Sequence, residues 1–141
     1  MKPAEQKGPG FDARHPILLI AAQWRPRAYI LAELQELGYE VRALPGIHFA
    51  LGYLIRRPQV HPALVILDTE EDPDLTPERL EDMLAITEPA PWLVITSGTR
   101  PVPPVLARAA PRVHILKRPI SIGQVVERAR ALLAGGDEIP S

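Results

Sequence analysis

The chain contains no cysteine and no asparagine. Without cysteine there is no disulfide, no thiolate zinc site and no thiol nucleophile. That usage fits a reducing compartment, and a cytoplasmic location is expected. Long apolar runs are also missing: none approaches the roughly 20 residues that a membrane-spanning helix needs. Residues 1–15 lack the apolar segment of a secretory signal, so neither export nor a membrane anchor is expected. Charge of one sign is not in excess. Lys plus Arg number 16 and Asp plus Glu 17, a formal net charge of −1, so overall charge draws the chain to neither nucleic acid nor membrane.

Glycine is absent from the segment Gln23-Trp24-Arg25-Pro26, which follows the first apolar run. That argues against the phosphate cradle of a dinucleotide fold or a P-loop. The four histidines, His15, His48, His61 and His114, have no metal-type spacing. No nucleophile–base pair can be assigned, and the chain is not expected to be an enzyme.

What is present is a foldable chain. Its 141 residues suit one domain, and 46% of them are hydrophobic, which excludes wholesale disorder. Proline reaches 17. Stiff loops without asparagine fit heat resistance and a thermophilic source, although a GC-rich genome gives the same bias.

Residues 1–15 are polar and read as a flexible N-terminal tail, residues 16–135 as the domain, and residues 136–141 as a C-terminal tail. Within the domain, apolar strands alternate with amphipathic helices. Ile17-Leu18-Leu19-Ile20-Ala21-Ala22 reads as a strand buried on both faces. Arg27 to Gly38 reads as a helix with Ile30, Leu31, Leu34 and Leu37 inward, stopped by Gly38. Tyr39 to Leu44 alternates like an edge strand. Gly46 to Arg57 is a second helix, and Ala63 to Leu67 a third-position apolar strand ending on Asp68. Thr76 caps the next helix, with Pro77 at its first position. Trp92 to Thr96 is a strand, residues 101–110 a short helix, and Val113 to Leu116 the last strand. Ser121 and Gln124 form a capping box for the last helix. Five strand–helix units imply a parallel sheet covered on both faces. In such sheets the chemistry gathers at the carboxyl ends of the strands.

Those ends carry a family resemblance. Leu64-Val65-Ile66-Leu67-Asp68 resembles the phosphoacceptor strand of response-regulator receiver domains. Leu93-Val94-Ile95-Thr96-Ser97 resembles the strand with their Thr/Ser switch residue, and Ile115-Leu116-Lys117-Arg118-Pro119-Ile120 the strand end with their Lys-Pro motif. The match spans about residues 16–134. It implies a doubly wound, flavodoxin-like α/β fold of five parallel strands with helices on both faces and strand order 2-1-3-4-5. It also implies a two-component signalling role. In the family, the Asp accepts a phosphoryl group from a phospho-histidine kinase. Two acidic residues after strand one bind Mg²⁺ with it, and the Lys pairs with the phosphoryl group. Attack of a carboxylate on a phosphoryl group needs such neutralisation.

The chain departs from that pattern. Ala22 and Gln23 stand where the acidic pair belongs. Arg118, not Lys, precedes Pro119, and Lys117 one place earlier points to the opposite face. Ile115 replaces the switch aromatic. The main expectation is therefore an atypical receiver-like domain acting by protein–protein contact, with no cofactor. Asp68 is the phosphoacceptor candidate; Thr96, Arg118, Lys117 and Gln23 are the other site candidates. Arg118 can pair permanently with Asp68. One alternative is a working receiver phosphorylated on Asp68, which would need Mg²⁺. Asp68 and Glu70 are then the metal candidates, with Glu71, Asp72 and Asp74 nearby; the competing reading of this loop is a solvated acidic surface. Another is a small-ligand or nucleotide-binding module.

Residues 66–90 hold nine acidic residues and one basic, whereas residues 91–141 hold seven basic and three acidic. The expected partner is a protein: a sensor kinase, an output protein or a second copy through strand five and its flanking helices. Neither membrane nor nucleic acid is an expected partner, since no DNA-binding motif or aromatic RNA surface appears.

Overall fold

The computed structural model describes residues 8–135. It contains β1 (Ile17–Ile20), α1 (Trp24–Glu36), β2 (Val41–Leu44), α2 (Ile47–Arg56), β3 (Leu64–Asp68), α3 (Pro77–Ile86), β4 (Trp92–Thr96), α4 (Pro104–Ala107), β5 (Val113–Lys117) and α5 (Ile122–Leu133). The strands form one parallel sheet in the order β2-β1-β3-β4-β5. This is the doubly wound arrangement that the alternating pattern implied.

Side-chain parity divides the core. Leu18, Ile20, Val65, Leu67, Trp92 and Val94 face α2, α3 and α4. Their neighbours Ile17, Leu19, Leu64, Ile66, Leu93 and Ile95 face α1 and α5. All residues of β1, β3 and β4 are buried, which explains why these strands are continuously apolar rather than alternating. The edge strands β2 and β5 are only partly buried.

Helix ends follow local chemistry. The Thr76 hydroxyl accepts from the Arg79 amide, and Pro77 fills the first position of α3. Ser121 and Gln124 form the reciprocal capping box of α5. Ser121→Ala is expected to cost about 1 kcal/mol in urea unfolding, because the Gln124 amide loses its acceptor. Gly38 ends α1 at φ +92°, where its amide donates to the Gln35 carbonyl. Gly46 has no side chain to cap α2. Instead Asp72 reaches across, its Oδ2 accepting from the Ile47 amide at 2.8 Å.

Most boundaries shift by a residue or two from the sequence expectation, and three of the shifts have a clear local cause. α1 begins at Trp24 rather than Arg27, because proline at residue 26 is tolerated in a first turn whose amides have no helical acceptor. β2 begins at Val41, since the Tyr39 amide is committed to Leu34 and that of Glu40 to Gly10. α4 is only the four residues Pro104–Ala107. The first fifteen residues also divide: residues 8–15 pack on the domain instead of trailing from it. Phe11 stacks on Tyr39 at 4.4 Å, and the His61 amide donates to the Arg14 carbonyl. The aromatic contact and the backbone bonds tie down a segment whose composition alone reads as loose. Residues 1–7 and the tail at 136–141 lie outside the described residues.

Candidate functional site

Asp68 is the last residue of β3 and is 1% exposed. Burial of a carboxylate requires a partner, and Arg118 supplies it. Arg118 Nη1 donates to Asp68 Oδ1 at 3.0 Å and Nη2 to Oδ2 at 2.6 Å. The two residues are not on adjacent strands: β4 lies between β3 and β5, so the Arg118 side chain crosses the end of β4. A planar fork meeting both oxygens is geometry that a lysine cannot reproduce.

The pair is braced on both sides. Glu70 Oε1 lies 3.5 Å from Arg118 Nη1, and the Glu70 amide donates to Asp68 Oδ1. The hydrogen bond to Asp68 holds the Arg118 guanidinium above its ordinary pKa, against the opposing effect of burial. The Arg118 amide donates to the Thr96 carbonyl. Gly98 lets the loop after β4 pass close beneath: a Cβ there would stand 2.6 Å from the Arg118 carbonyl oxygen. The bracing by Glu70 and the spacing role of Gly98 were not legible in the sequence, because both depend on a bend in the loop rather than on strand register.

Thr96 is also buried at this end, and its Oγ1 has no hydrogen-bond partner among the described residues. Lys117 pairs in register with Thr96, is exposed, and lies on the sheet face opposite to Arg118. Gln23 precedes α1 and makes no side-chain cap. With Ala22, Trp24, Arg25, Pro26 and Glu71 it lines an open groove of about 510 Å³. The structure thus joins Asp68, Arg118 and Glu70 in one cluster, to which Thr96 is linked through its backbone carbonyl. Lys117 and the Gln23 side chain are not joined to that cluster by any hydrogen bond.

The donor set does not fit the Mg²⁺ that the receiver resemblance implies. Ala22 has no side-chain donor atom, Gln23 offers only a neutral amide oxygen, and both Asp68 oxygens face a guanidinium. A hard divalent cation prefers carboxylate and water oxygens. A second cation, unremarked in the sequence, stands nearby: Arg27 Nη1 donates to the Ala21 carbonyl at 2.7 Å and to that of Ala22 at 3.3 Å. Positive charge therefore sits on the backbone of Ala22, one of the two positions at which the resemblance expects an acidic ligand. Among the described residues no group of three His, Asp or Glu side chains is placed to hold a metal. Of the other acids of the loop, the Asp72 carboxylate is engaged locally: it caps α2 and also accepts from the Asp74 amide.

Comparison with solved structures places this geometry on a known fold. The CheY-like receiver protein of Methanospirillum hungatei JF-1 superposes with a TM-score of 0.72 at 17% identity, over 89% of this chain and 98% of that one. The receiver domain of the hybrid histidine kinase CckA gives 0.64 at 24% identity, over 83% and 97%. The lysine decarboxylase LdcF of Francisella novicida gives 0.65 at 9% identity, over 93% of this chain but 18% of that one. No protein-family model and no curated protein matches the sequence. The chain therefore has the response-regulator receiver fold, a flavodoxin-like five-stranded sheet. The decarboxylase match marks the limit of that statement, since the same architecture also serves inside an enzyme.

Proposed function

We propose that the chain is a pseudo-receiver: a receiver-fold signalling module that acts by protein contact and does not take up a phosphoryl group. The observation that carries this reading is the Asp68–Arg118 pair. Both carboxylate oxygens are occupied by the fork of one guanidinium, and the carboxylate is buried. A nucleophile in that state has no free oxygen to offer a phosphoryl donor, and no neighbouring carboxylate brings a metal to offset the charge. Arg118 makes permanently the kind of contact that a receiver lysine makes only with the phosphoryl group.

The face built from α4, β5 and α5 is the surface for an acidic protein partner. It exposes Arg108, Lys117, Arg128 and Arg130. The large exposed hydrophobic residues lie elsewhere, on or beside α1, α2 and α3. A homodimer through strand five, one of the sequence expectations, would thus rest on polar contacts without an apolar anchor.

Incubation with acetyl phosphate and Mg²⁺, followed by intact-mass spectrometry, tests the reading. No phosphoryl adduct is expected. The variant Ala22→Asp/Gln23→Asp/Arg118→Lys restores the missing acids and cation and is expected to gain one. A chelator-sensitive adduct on the unaltered chain, lost in Asp68→Ala, would establish a working receiver instead.

A further inference from the structure

α1 carries its charges against its own dipole. A helix N-terminus favours acidic side chains and a C-terminus basic ones. α2 and α5 follow this rule at their ends, with Arg56 and Arg130 in their last turns. α1 has no acid in its first turn and no base in its last. Arg25 and Arg27 stand at its start, Glu33 and Glu36 at its end. Arg27 is occupied, since its guanidinium donates to the Ala21 and Ala22 carbonyls. The other three are exposed, and none of them forms an ion pair among the described residues. In the single chain this placement opposes the helix. It turns favourable when a second helix lies antiparallel and brings the opposite charge to each end.

The outer face of α1 has the symmetry that such a contact needs. Ile30 and Leu34 turn inward. Arg25, Tyr29, Ala32 and Glu36 are all exposed, and at 3.6 residues per turn they lie within about 60° of one another around the helix. This stripe is balanced about the midpoint between residues 30 and 31. Arg25 and Glu36 stand about 8 Å to either side of it along the helix, Tyr29 and Ala32 about 2 Å. Tyr29 is 55% exposed, a large ring beside the small Ala28 and Ala32.

We infer that this face of α1 binds a second copy of the chain, with the two helices antiparallel about a two-fold axis at that midpoint. The half-turn reverses the helix but keeps each side chain on its own side of the seam. The two Tyr29 rings therefore meet each other on one side. The two Ala32 residues meet on the other, where their small size lets the helices approach. Arg25 of each copy comes level with Glu36 of the other near the centre of the seam, and the other copy's Glu33 lies about 4.5 Å closer to the axis. Each unpaired charge thus gains an opposite partner, and the helix dipoles oppose. Such an isologous contact closes on itself and gives a dimer rather than a fibre. One helix on one helix covers less than the roughly 800 Å² per partner of a standard interface, so a dissociation constant on the order of tens of micromolar is expected. The inference stands apart from the phosphorylation reading, because α1 holds none of Asp68, Glu70 and Arg118.

Sedimentation velocity of the full chain at low salt, from about 5 to about 500 µM, tests it. Wild type is expected to pass from monomer to dimer. Arg25→Glu and Glu36→Arg, taken singly, each set like charges face to face twice in the dimer, and each is expected to weaken association about tenfold or more. Each also brings one helix end into line with the dipole, so the melting temperature is expected to hold or rise. Lost association is then separate from lost fold. The double reversal Arg25→Glu/Glu36→Arg restores opposite signs and is expected to dimerise as wild type does. The chain has no cysteine, so single-cysteine variants report proximity cleanly. Ala32→Cys is expected to form an intermolecular disulfide on mild oxidation, because its two copies lie about 4.5 Å apart along the seam, within disulfide reach. Ile55→Cys, exposed on α2 across the sheet, is expected not to. A wild type that stays monomeric throughout overturns the inference. So does a dimer that neither single reversal weakens, a double reversal that stays monomeric, or cross-linking through Ile55→Cys and not Ala32→Cys.

Discussion

Arg118→Ala is expected to destabilise the fold by about 3 kcal/mol, which lowers the melting temperature by roughly 10 °C for a chain of this size. The cost arises at Asp68, not at Arg118. The arginine head is 29% exposed, whereas the aspartate side chain is 1% exposed. Truncating the arginine leaves a buried carboxylate whose remaining donor is the Glu70 amide, with Glu70 itself adding like charge. Breaking a fully buried pair from one side costs about 3 to 5 kcal/mol. The partial exposure of Arg118 admits some water and places the value at the lower end. The reverse change, Asp68→Asn, keeps the volume and strands a cation that already reaches solvent, so about 1 kcal/mol is expected. Replacing both residues, as Asp68→Leu/Arg118→Met, is expected to recover most of the loss, since a packed apolar pair avoids both desolvation terms. Urea unfolding of the wild type, Arg118→Ala, Asp68→Asn and Asp68→Asn/Arg118→Ala closes a double-mutant cycle, with a coupling energy of about 2 kcal/mol or more expected. A loss below about 1 kcal/mol for Arg118→Ala would show that water reaches Asp68 readily, and the argument for a permanently closed site would fail with it.

The fold was legible because its strands have to be buried twice. Up to the Asp68 and Thr96 that end them, β3 and β4, like Ile17–Ile20 of β1, are apolar in both parities, and a sheet covered on both faces uses such runs. The caps at Thr76 and Ser121 were equally plain, since each is a local bond between residues three apart. Boundaries set by distant partners were not. β2 loses its first residues to a bond with Gly10, and α2 is capped by Asp72, 25 positions along the chain. The site divides in the same way. Strand-end logic put Asp68, Thr96 and Arg118 at one edge, and the bidentate chemistry of arginine suggested their pairing. Arg27 was read only as the start of a helix, because nothing in its neighbours reveals that its guanidinium folds back on the end of β1. Most of the apolar side of α2 reads as core in the sequence, and only the burial of the other side shows that Phe49 and Ile55 are left over.

Thr87→Val and Thr96→Val are expected to move stability in opposite directions, although both threonines are buried and the substitution is the same. At the end of α3, the Thr87 hydroxyl donates to the Met83 carbonyl at 2.6 Å and accepts from Trp92 Nε1 and Arg112 Nη2, each at 3.0 Å. Valine there keeps the shape and removes the acceptor. The indole N–H of Trp92, a fully buried residue, is then unpaired. Arg112 keeps its bond to the Ala90 carbonyl, but burial already pushes its pKa down, so it tolerates a lost partner poorly. A loss of about 2 to 3 kcal/mol is expected. Thr96 is the converse case. Its Oγ1 is buried without a partner among the described residues, so the folded state carries the desolvation of a hydroxyl with nothing to offset it. Thr96→Val is expected to raise stability by up to about 1 kcal/mol. Equilibrium urea unfolding at constant m-value distinguishes the two directions. A Thr87→Val loss below about 0.5 kcal/mol would show that Trp92 finds another acceptor. A Thr96→Val loss above about 1 kcal/mol would show that a water serves the hydroxyl. A gain at Thr96 bears on function as well as stability. A buried hydroxyl kept at a cost, at the end of the strand next to the one that carries Asp68, is the local inconsistency expected where a site serves something other than the fold.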